Sequence, residues 1–452
     1  MTQAHSQQIA QRTLVVGLGA TGLSVARFLM RQGVRVAIAD SRSEPPELDR
    51  LQQEFADVAL FLGPFEDSVF EQADQLIVSP GVPLSTPQVQ AAMQRGVPVL
   101  GDIELFARVA QAPVVAITGS NGKSTVTTLV GEMAKAAGCR VAVGGNLGTP
   151  ALDLLDDEIE LYVLELSSFQ LESTHSLHTA VSAVLNVTAD HMDRYPDLQA
   201  YADAKERILR NAGLGIYNAD DPMVMAMRGS QDAWFFTLGE SHGGKVFGVC
   251  AFDGEEFLCR GEQPLIAARE VLIPGSHNRA NALAALAIGT ALGFELELMR
   301  EVLVRFPGLP HRCEFVGEIG GVRWYNDSKA TNVGAAMAAL EGLCVADGGR
   351  AVIILGGDCK GGEFGGMREA LAECARGVVL IGRDREQIRP VVPGECHTAD
   401  AANLEQAVEL AAGMAEPGDH VLLAPACASF DQFRNYIERG DRFRGLVRRM
   451  MA

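Results

Sequence analysis

The sequence predicts an α/β protein of three domains, and three observations carry that prediction. Short β-branched, apolar runs alternate with helical patterns along the chain, which implies mostly parallel sheets covered on both faces. Two of those runs stop at glycine-rich turns that open helices, Gly17-Leu18-Gly19-Ala20-Thr21-Gly22 and Gly119-Ser120-Asn121-Gly122. A length of 452 residues exceeds what one hydrophobic core supports. The expected layout is a Rossmann-like domain over 1–101, a central P-loop ATPase-like domain over 102–306 and a Rossmann-like domain over 307–452.

In the first unit Thr13-Leu14-Val15-Val16 reads as a buried strand, and the glycine turn after it starts a helix. The next strand, Val34 to Asp40, ends in an acid 18 residues beyond Gly22. That is G-x-G-x-x-G with an acid at ribose-binding distance, a dinucleotide fingerprint whose usual ligand is NAD or FAD. Gln75 to Gly81 reads as a strand and Gln88 to Arg95 as a helix. Val97-Pro98-Val99-Leu100-Gly101 then leads into Asp102-Ile103-Glu104-Leu105-Phe106, read as a hinge.

The central unit is organised around Val114-Val115-Ala116-Ile117-Thr118-Gly119-Ser120-Asn121-Gly122-Lys123-Ser124-Thr125. A buried strand, a glycine turn and a helix start make a phosphate-binding loop, with backbone N–H groups and the helix dipole facing a polyphosphate. Lys123 would reach the terminal phosphates and Ser124 would sit on Mg²⁺. Ile117 stands where the standard eight-residue pattern has glycine. Further strands are expected at Arg140 to Gly144, Leu161 to Leu166 and Ala180 to Val187. A small antiparallel patch is expected between Trp234 and Ile273, and an alanine-rich helix from Asn278 to Leu292. Glu165 closes a strand, where a carboxylate either holds Mg²⁺ or caps the next helix. The dense polar run Asn186 to Tyr195 makes His191 a candidate metal ligand, with Asp190 or Asp193 to orient it; a single histidine is more often structural. Lys205, in a helical run from Leu198 to Leu209 with other charges, reads as a solvated lysine.

The third unit follows the Pro307-Gly308-Leu309-Pro310 linker. Strands are read at Arg323 to Ser328, Ala351 to Leu355, Val378 to Gly382 and His420 to Ala424. Asp327-Ser328-Lys329-Ala330-Thr331-Asn332 combines an acid, a base and small donors at a strand-to-helix transition, where Asp327 or Ser328 would also serve as a helix N-cap. His311-Arg312 would offer a guanidinium to phosphate, or else simple surface charge. Asp358-Cys359-Lys360 and Ser429-Phe430-Asp431-Gln432-Phe433 lie after strands, on the face where ligands gather.

The formal net charge of −19 argues against a nucleic-acid or anionic-membrane surface, so a phosphorylated ligand needs local donors and metal ions. Nine scattered cysteines without a C-x-x-C pair point to a reducing cytosol and no zinc module. No signal core and no apolar run long enough to span a bilayer are seen, so a soluble cytoplasmic protein is expected.

Taken together, Thr118 to Thr125, Asn186 to Tyr195, Gly275-Ser276-His277-Asn278, His311-Arg312 and Tyr325 to Asn332 resemble the Mur ligases, ATP-dependent amino-acid ligases of peptidoglycan synthesis. The resemblance runs from about Leu14 to Phe443. Gly17 to Ser24, His191-Met192-Asp193-Arg194-Tyr195-Pro196 and Ala424 to Phe433 point to the member that joins D-glutamate to UDP-N-acetylmuramoyl-L-alanine. The resemblance also accounts for the unusual phosphate loop, since the family carries Thr-Gly there.

It implies ATP, two Mg²⁺ ions and a carbamylated lysine at Lys205. Lys123, Glu165, His191 and Lys205 would be catalytic, with Ser124, Glu165, His191 and Lys205 at the metals. Gly119, Ser120, Asn121, Gly122, Lys123, Ser124, Thr125, Asn278, Arg312 and Asp327 would bind ATP. The first domain would hold the UDP part of the substrate rather than NAD, through Ala20, Thr21, Gly22, Asp40, Ser41 and Gly81, with Asn146 near the reaction centre. Lys329, Thr331, Lys360, Ser429, Phe430 and Tyr436 would surround D-glutamate. A monomer is expected, closing about the Pro307–Pro310 linker. Other amide ligases of the Mur and folylpolyglutamate synthase type, a nicotinamide-dependent oxidoreductase and a non-enzymatic nucleotide switch are the alternatives.

Overall fold

The computed structural model describes residues 12–229, 232–273, 275–347, 349–359 and 363–451. Three sheets make an α/β protein of three domains; one apolar cluster is continuous between the first and second, and the third has clusters of its own. The first sheet contains β1 (Thr13–Val16), β2 (Val36–Asp40), β3 (Ala59–Leu62), β4 (Gln75–Val78) and β5 (Val99–Leu100). All are parallel, in the order β3-β2-β1-β4-β5. Strand order reverses between β1 and β4, and a crevice forms at their carboxyl ends. β1 and β4 are buried along their whole length, as their uninterrupted apolar runs require.

The second sheet has nine strands: β6 (Val114–Thr118), β7 (Val141–Gly145), β8 (Leu161–Glu165), β9 (Thr179–Val184), β10 (Ala212–Asn218), β11 (Asp232–Phe236), β12 (Val246–Phe252), β13 (Glu255–Arg260) and β14 (Gln263–Ala267). Their order is β14-β13-β12-β11-β10-β9-β6-β8-β7. β6 lies between β9 and β8, so the glycine turn after β6 is flanked by the ends of both neighbours. The antiparallel patch is present as β12 to β14, but β11 and the start of β12 extend the parallel part of the sheet. The helix Lys123–Ala136 packs its apolar side on the helix Ser276–Ala291, forming the core of this domain.

The third sheet contains β15 (Glu314–Ile319), β16 (Val322–Asn326), β17 (Ala351–Leu355), β18 (Ala375–Leu380), β19 (His397–Asp400) and β20 (His420–Leu423), ordered β15-β16-β20-β17-β18-β19. Only β15 runs antiparallel.

Two local expectations are corrected. Asp102 to Phe106 is a buried helix, Asp102–Ala107, rather than an open hinge. Its carboxylates meet the segment after β8: Gln170 Nε2 donates to Asp102 Oδ2, while Asp102 Oδ1 is buried without a partner among the described residues, and Glu104 accepts from the backbone N–H groups of His175 and Ser176. The helix after β16 starts only at Val333, so Asp327 and Ser328 do not cap it; Asn332 Oδ1 accepts from the Ala335 N–H instead.

Candidate active site

β6 ends at buried Thr118, and the chain turns through Gly119 and Gly122, both at positive φ (153° and 81°). A side chain at Gly122 would have its Cβ 2.3 Å from Asn281 Oδ1, so this turn fits against the neighbouring helix only with glycine. The loop is pinned to the end of β9: Ser120 N–H donates to Asn186 O, and Asn121 N–H to Asn186 Oδ1, at 2.9 and 2.8 Å. Lys123 Nζ folds back onto the carbonyls of Gly119 and Ser120 at 2.7 and 2.9 Å.

Glu165, at the end of β8, does not cap the following helix. Ser167 caps it in a reciprocal box with Gln170, leaving the carboxylate free for the cleft. Ser124 Oγ donates to Glu165 Oε2 at 2.6 Å and Asn146 Nδ2 to Oε1 at 2.7 Å. Burial raises the Glu165 pKa, but Lys123 and these two donors outweigh it and hold the carboxyl below its ordinary range.

Lys205 is not a solvated lysine. It is 1% exposed, with Nζ donating to Gly119 O at 2.9 Å and lying 4.2 Å from the centre of the Tyr201 ring. Burial, with Lys123 nearby, drives its pKa well below the ordinary value. His191 sits in the left-handed region, φ 59°, and burial lowers its pKa. Among the described residues no three His, Cys, Asp or Glu side chains converge into a metal cluster. The Glu165 and Asp190 carboxylates and the His191 imidazole line the cleft beside the phosphate loop, with the Ser124 hydroxyl bonded to Glu165.

The third domain closes over this face. Arg312 Nη2 donates to Ser124 Oγ at 2.6 Å, and Asn332 Nδ2 donates to Asp190 Oδ2 at 2.9 Å. Asp327 is buried, and its pKa rises to about 7 because desolvation outweighs the attraction of Arg312. Lys329 lies 4.3 Å from the centre of the Tyr436 ring, and burial lowers its pKa to about 8.

A cavity of about 330 Å³ gathers most of the expected nucleotide and metal residues. Ser120 to Lys123, Thr125, Glu165, His191 and Lys205 line it from the central domain, with Asn146 and Asn278. Arg312, Asp327, Lys329 and Thr331 line it from the third. Gly119 and Ser124 lie behind this surface. A second cavity, about 540 Å³, is lined by Ala20, Thr21, Asp40, Ser41 and Gly81 at the β1–β4 crevice. Gly22 packs beneath it. Asn146 lines both cavities. Ser429 is buried outside either lining and Phe430 is 64% exposed; Lys360 lies outside the described residues.

Sequence reasoning missed Phe169, Tyr201 and Asn281. Asn281 had a legible signal, since it follows Asn278 by three residues on one helix face. The other two depend on tertiary contacts.

The phosphate loop, its lysine and the neighbouring acid define a nucleotide-dependent α/β enzyme with a site split between domains. Family models place it further. Residues 11–101 match "Mur ligase MurD-like, N-terminal domain", 117–289 match "Mur ligase middle domain" and 311–427 match "Mur ligase, glutamate ligase domain". The UDP-N-acetylmuramoylalanine–D-glutamate ligase of Pseudomonas fluorescens strain Pf-5 is 52% identical over 435 residues, 96% of this chain and 97% of the relative. That of Methylobacillus flagellatus is 51% identical over 447 residues, 98% of this chain and 97% of the relative. The chain belongs to the Mur ligase family. Solved structures share its fold: UDP-N-acetylmuramate-alanine ligase MurC from Thermotoga maritima has a TM-score of 0.62 at 20% identity, covering 98% of this chain and 99% of that one. MurF from Acinetobacter baumannii has a TM-score of 0.59 at 17% identity, covering 99% and 95%.

Proposed function

We propose that this protein is an ATP-dependent ligase that joins D-glutamate to UDP-N-acetylmuramoyl-L-alanine. The observation that carries the reading is the meeting of the two cavities at Asn146. A UDP-sugar seated in the first-domain crevice would point its L-alanyl carboxylate at Lys123, where the terminal phosphate of ATP would lie. The family relationship over nearly the whole chain supports the same substrates.

In this reading domain boundaries fall near 101 and 306, the first unit holding the UDP-sugar, the second ATP and the third the amino acid. ATP phosphorylates the L-alanyl carboxylate and releases ADP. The D-glutamate amine attacks the acyl phosphate, a tetrahedral intermediate collapses, and phosphate leaves as the amide forms. Lys123 and Arg312 supply fixed positive charge to the transferring phosphoryl group. Lys329 and Thr331 offer charge-assisted hydrogen bonds to a dicarboxylate. Ser429, Phe430 and Tyr436 would join that site as the third domain moves about the Pro307–Pro310 linker.

The residues also fit Mg²⁺: a hydroxyl, a carboxylate and an imidazole gather at the phosphate loop, and a carbamate on Lys205 would add an anionic oxygen donor. Mg²⁺ would neutralise phosphate charge there. Burial that lowers the Lys205 pKa favours the neutral amine, the form that reacts with carbon dioxide. Among the described residues no helix is long and apolar enough to cross a membrane. We place the enzyme in the cytoplasm, where both nucleotide substrates occur, and expect a monomer.

The test is ADP release and amide formation with purified protein, ATP and UDP-N-acetylmuramoyl-L-alanine, offered D-glutamate, L-glutamate, L-alanine or diaminopimelate. Turnover with D-glutamate alone is expected. Turnover with another amino acid instead would reassign the chain within the family.

A further inference from the structure

We propose that Arg194 is a positioning residue that ties occupancy of the first-domain crevice to the wall of the phosphoryl-transfer cleft; this rests on the function proposed above. Its side chain is only 12% exposed and sits where three elements meet. Nη1 donates to Pro80 O at 2.7 Å, and Pro80 lines the first-domain cavity beside Gly81. Nη2 donates to Glu172 Oε2 at 2.7 Å, while Tyr195 Oη donates to the other oxygen of that carboxylate at 2.5 Å. The guanidinium carbon lies 3.9 Å from the centre of the Phe169 ring.

Phe169 is the element through which the tie acts. Its ring meets His191 edge-on at 4.9 Å, and both residues line the cavity that holds Lys123 and Lys205. The left-handed conformation of His191 is one that a non-glycine residue keeps only when its surroundings impose it. Part of that constraint is local, because the backbone N–H groups of Arg194 and Tyr195 both donate to His191 O. One residue therefore holds the crevice loop with its side chain and the His191 turn with its backbone. A ligand that shifts Pro80 moves the guanidinium, and with it the ring that packs on His191.

The planar guanidinium matters. Two divergent acceptors and an aromatic face are served at once by a fixed fork, which a lysine ammonium does not reproduce. Lysine at this position keeps the charge and loses the coupling. The effect should fall on the substrate that enters through the crevice and on the step that phosphorylates it, and spare the amino acid bound from the third domain.

The experiment uses the full-length protein with Arg194→Lys and, as a second variant, Glu172→Gln, which removes the charge of one acceptor shared with Tyr195 and leaves the Pro80 contact in place. KM is measured for each of the three substrates, and acyl phosphate formation is followed without D-glutamate by trapping with hydroxylamine. For Arg194→Lys, KM for the UDP-sugar is expected to rise about tenfold or more, the scale of one lost charge-assisted hydrogen bond, with KM for D-glutamate within about twofold. Hydroxamate formation should slow in step with overall turnover, and Glu172→Gln should shift the same two quantities less. Unchanged values in both variants, or an equal loss toward all three substrates with a lowered Tm, would overturn the coupling. A wild-type enzyme that forms no amide with D-glutamate would instead remove the functional reading on which it stands.

Discussion

The glycine turn of the first domain and the phosphate loop of the second are built alike, yet they suit different parts of a substrate. Each follows a fully buried strand and opens a helix, and each faces a carboxylate at the end of a neighbouring strand, Asp40 in one and Glu165 in the other. In the first turn Asp40 is used up by the protein: it accepts from the Leu18 N–H and from Arg42, and those donors hold its pKa below the ordinary value despite burial. Among the described residues no lysine lines that crevice, and the Arg42 that does is paired with Asp40. In the second, two buried lysines share the Gly119 carbonyl and the acid accepts from Ser124. Strand, turn and helix alone make a place for phosphate; the loop's own Lys123, with Arg312 brought in from the third domain, makes a place for phosphoryl transfer.

The sharpest way to break this contrast is Lys123→Ala. Amide formation should fall by about 10³-fold or more, as expected when fixed charge is removed from a transferring phosphoryl group. UDP-sugar binding, measured by calorimetry, should persist, since its crevice lies in another domain. Loss of that binding in a folded variant would mean that the two turns do not work separately.

Lys205→Ala comes next. Nearly complete loss of turnover is expected, partly restored by a short added carboxylic acid that supplies the missing anionic oxygens. Absence of rescue by acetate or formate across a concentration series would argue that Lys205 acts as an amine through Gly119 and Tyr201.

These two lysines show how far the sequence could be read. Lys123 was legible because its role follows from adjacency: strand, glycines and lysine are consecutive, and local geometry fixes the rest. Lys205 was not, because its burial is created by Gly119 and Tyr201, and only Tyr201 is near in sequence. The same division separates the strands. β1, β6 and β8 were read from unbroken apolar runs; β3 is a short apolar run, Ala59-Leu60-Phe61-Leu62, that is nevertheless mostly exposed, and two glycines interrupt β10. Asp102 and Glu104 were read as part of a hinge, and only the structure shows the donors on Gln170, His175 and Ser176 that accompany their burial. The split site was recognised from motifs that resemble a family, not from periodicity.

A smaller effect tests the first turn. At Gly22 an added Cβ would lie 1.9 Å from Gly17 O, so Gly22→Ala must push the helix Ala20–Arg31 away from its turn. Overpacking of this kind costs about 1–3 kcal/mol, visible as a lowered Tm. KM for the UDP-sugar should rise while KM for ATP stays the same. An equal rise in both would show that strain at one turn reaches the other.

The smallest effect concerns what keeps the two turns in fixed relation. Asp102, at the domain boundary, is fully buried against Gln170, and burial raises its pKa from 3.8 to about 6. Because the folded protein binds this proton more tightly than the unfolded chain, the contribution is fully present below about pH 4 and is lost as pH rises through about 6. A charged Asp102 at neutral pH thus weighs on the folded state, by an amount on the order of 1–3 kcal/mol. Asp102→Asn keeps an oxygen acceptor for Gln170 and removes the titration. Urea unfolding should show the variant gaining stability relative to the wild type between pH 4 and 6, with the gain level above pH 7. A difference that does not change with pH would mean that Asp102 is hydrated at the boundary, and that the helix Asp102–Ala107 leaves the two domains freer to move than their contacts suggest.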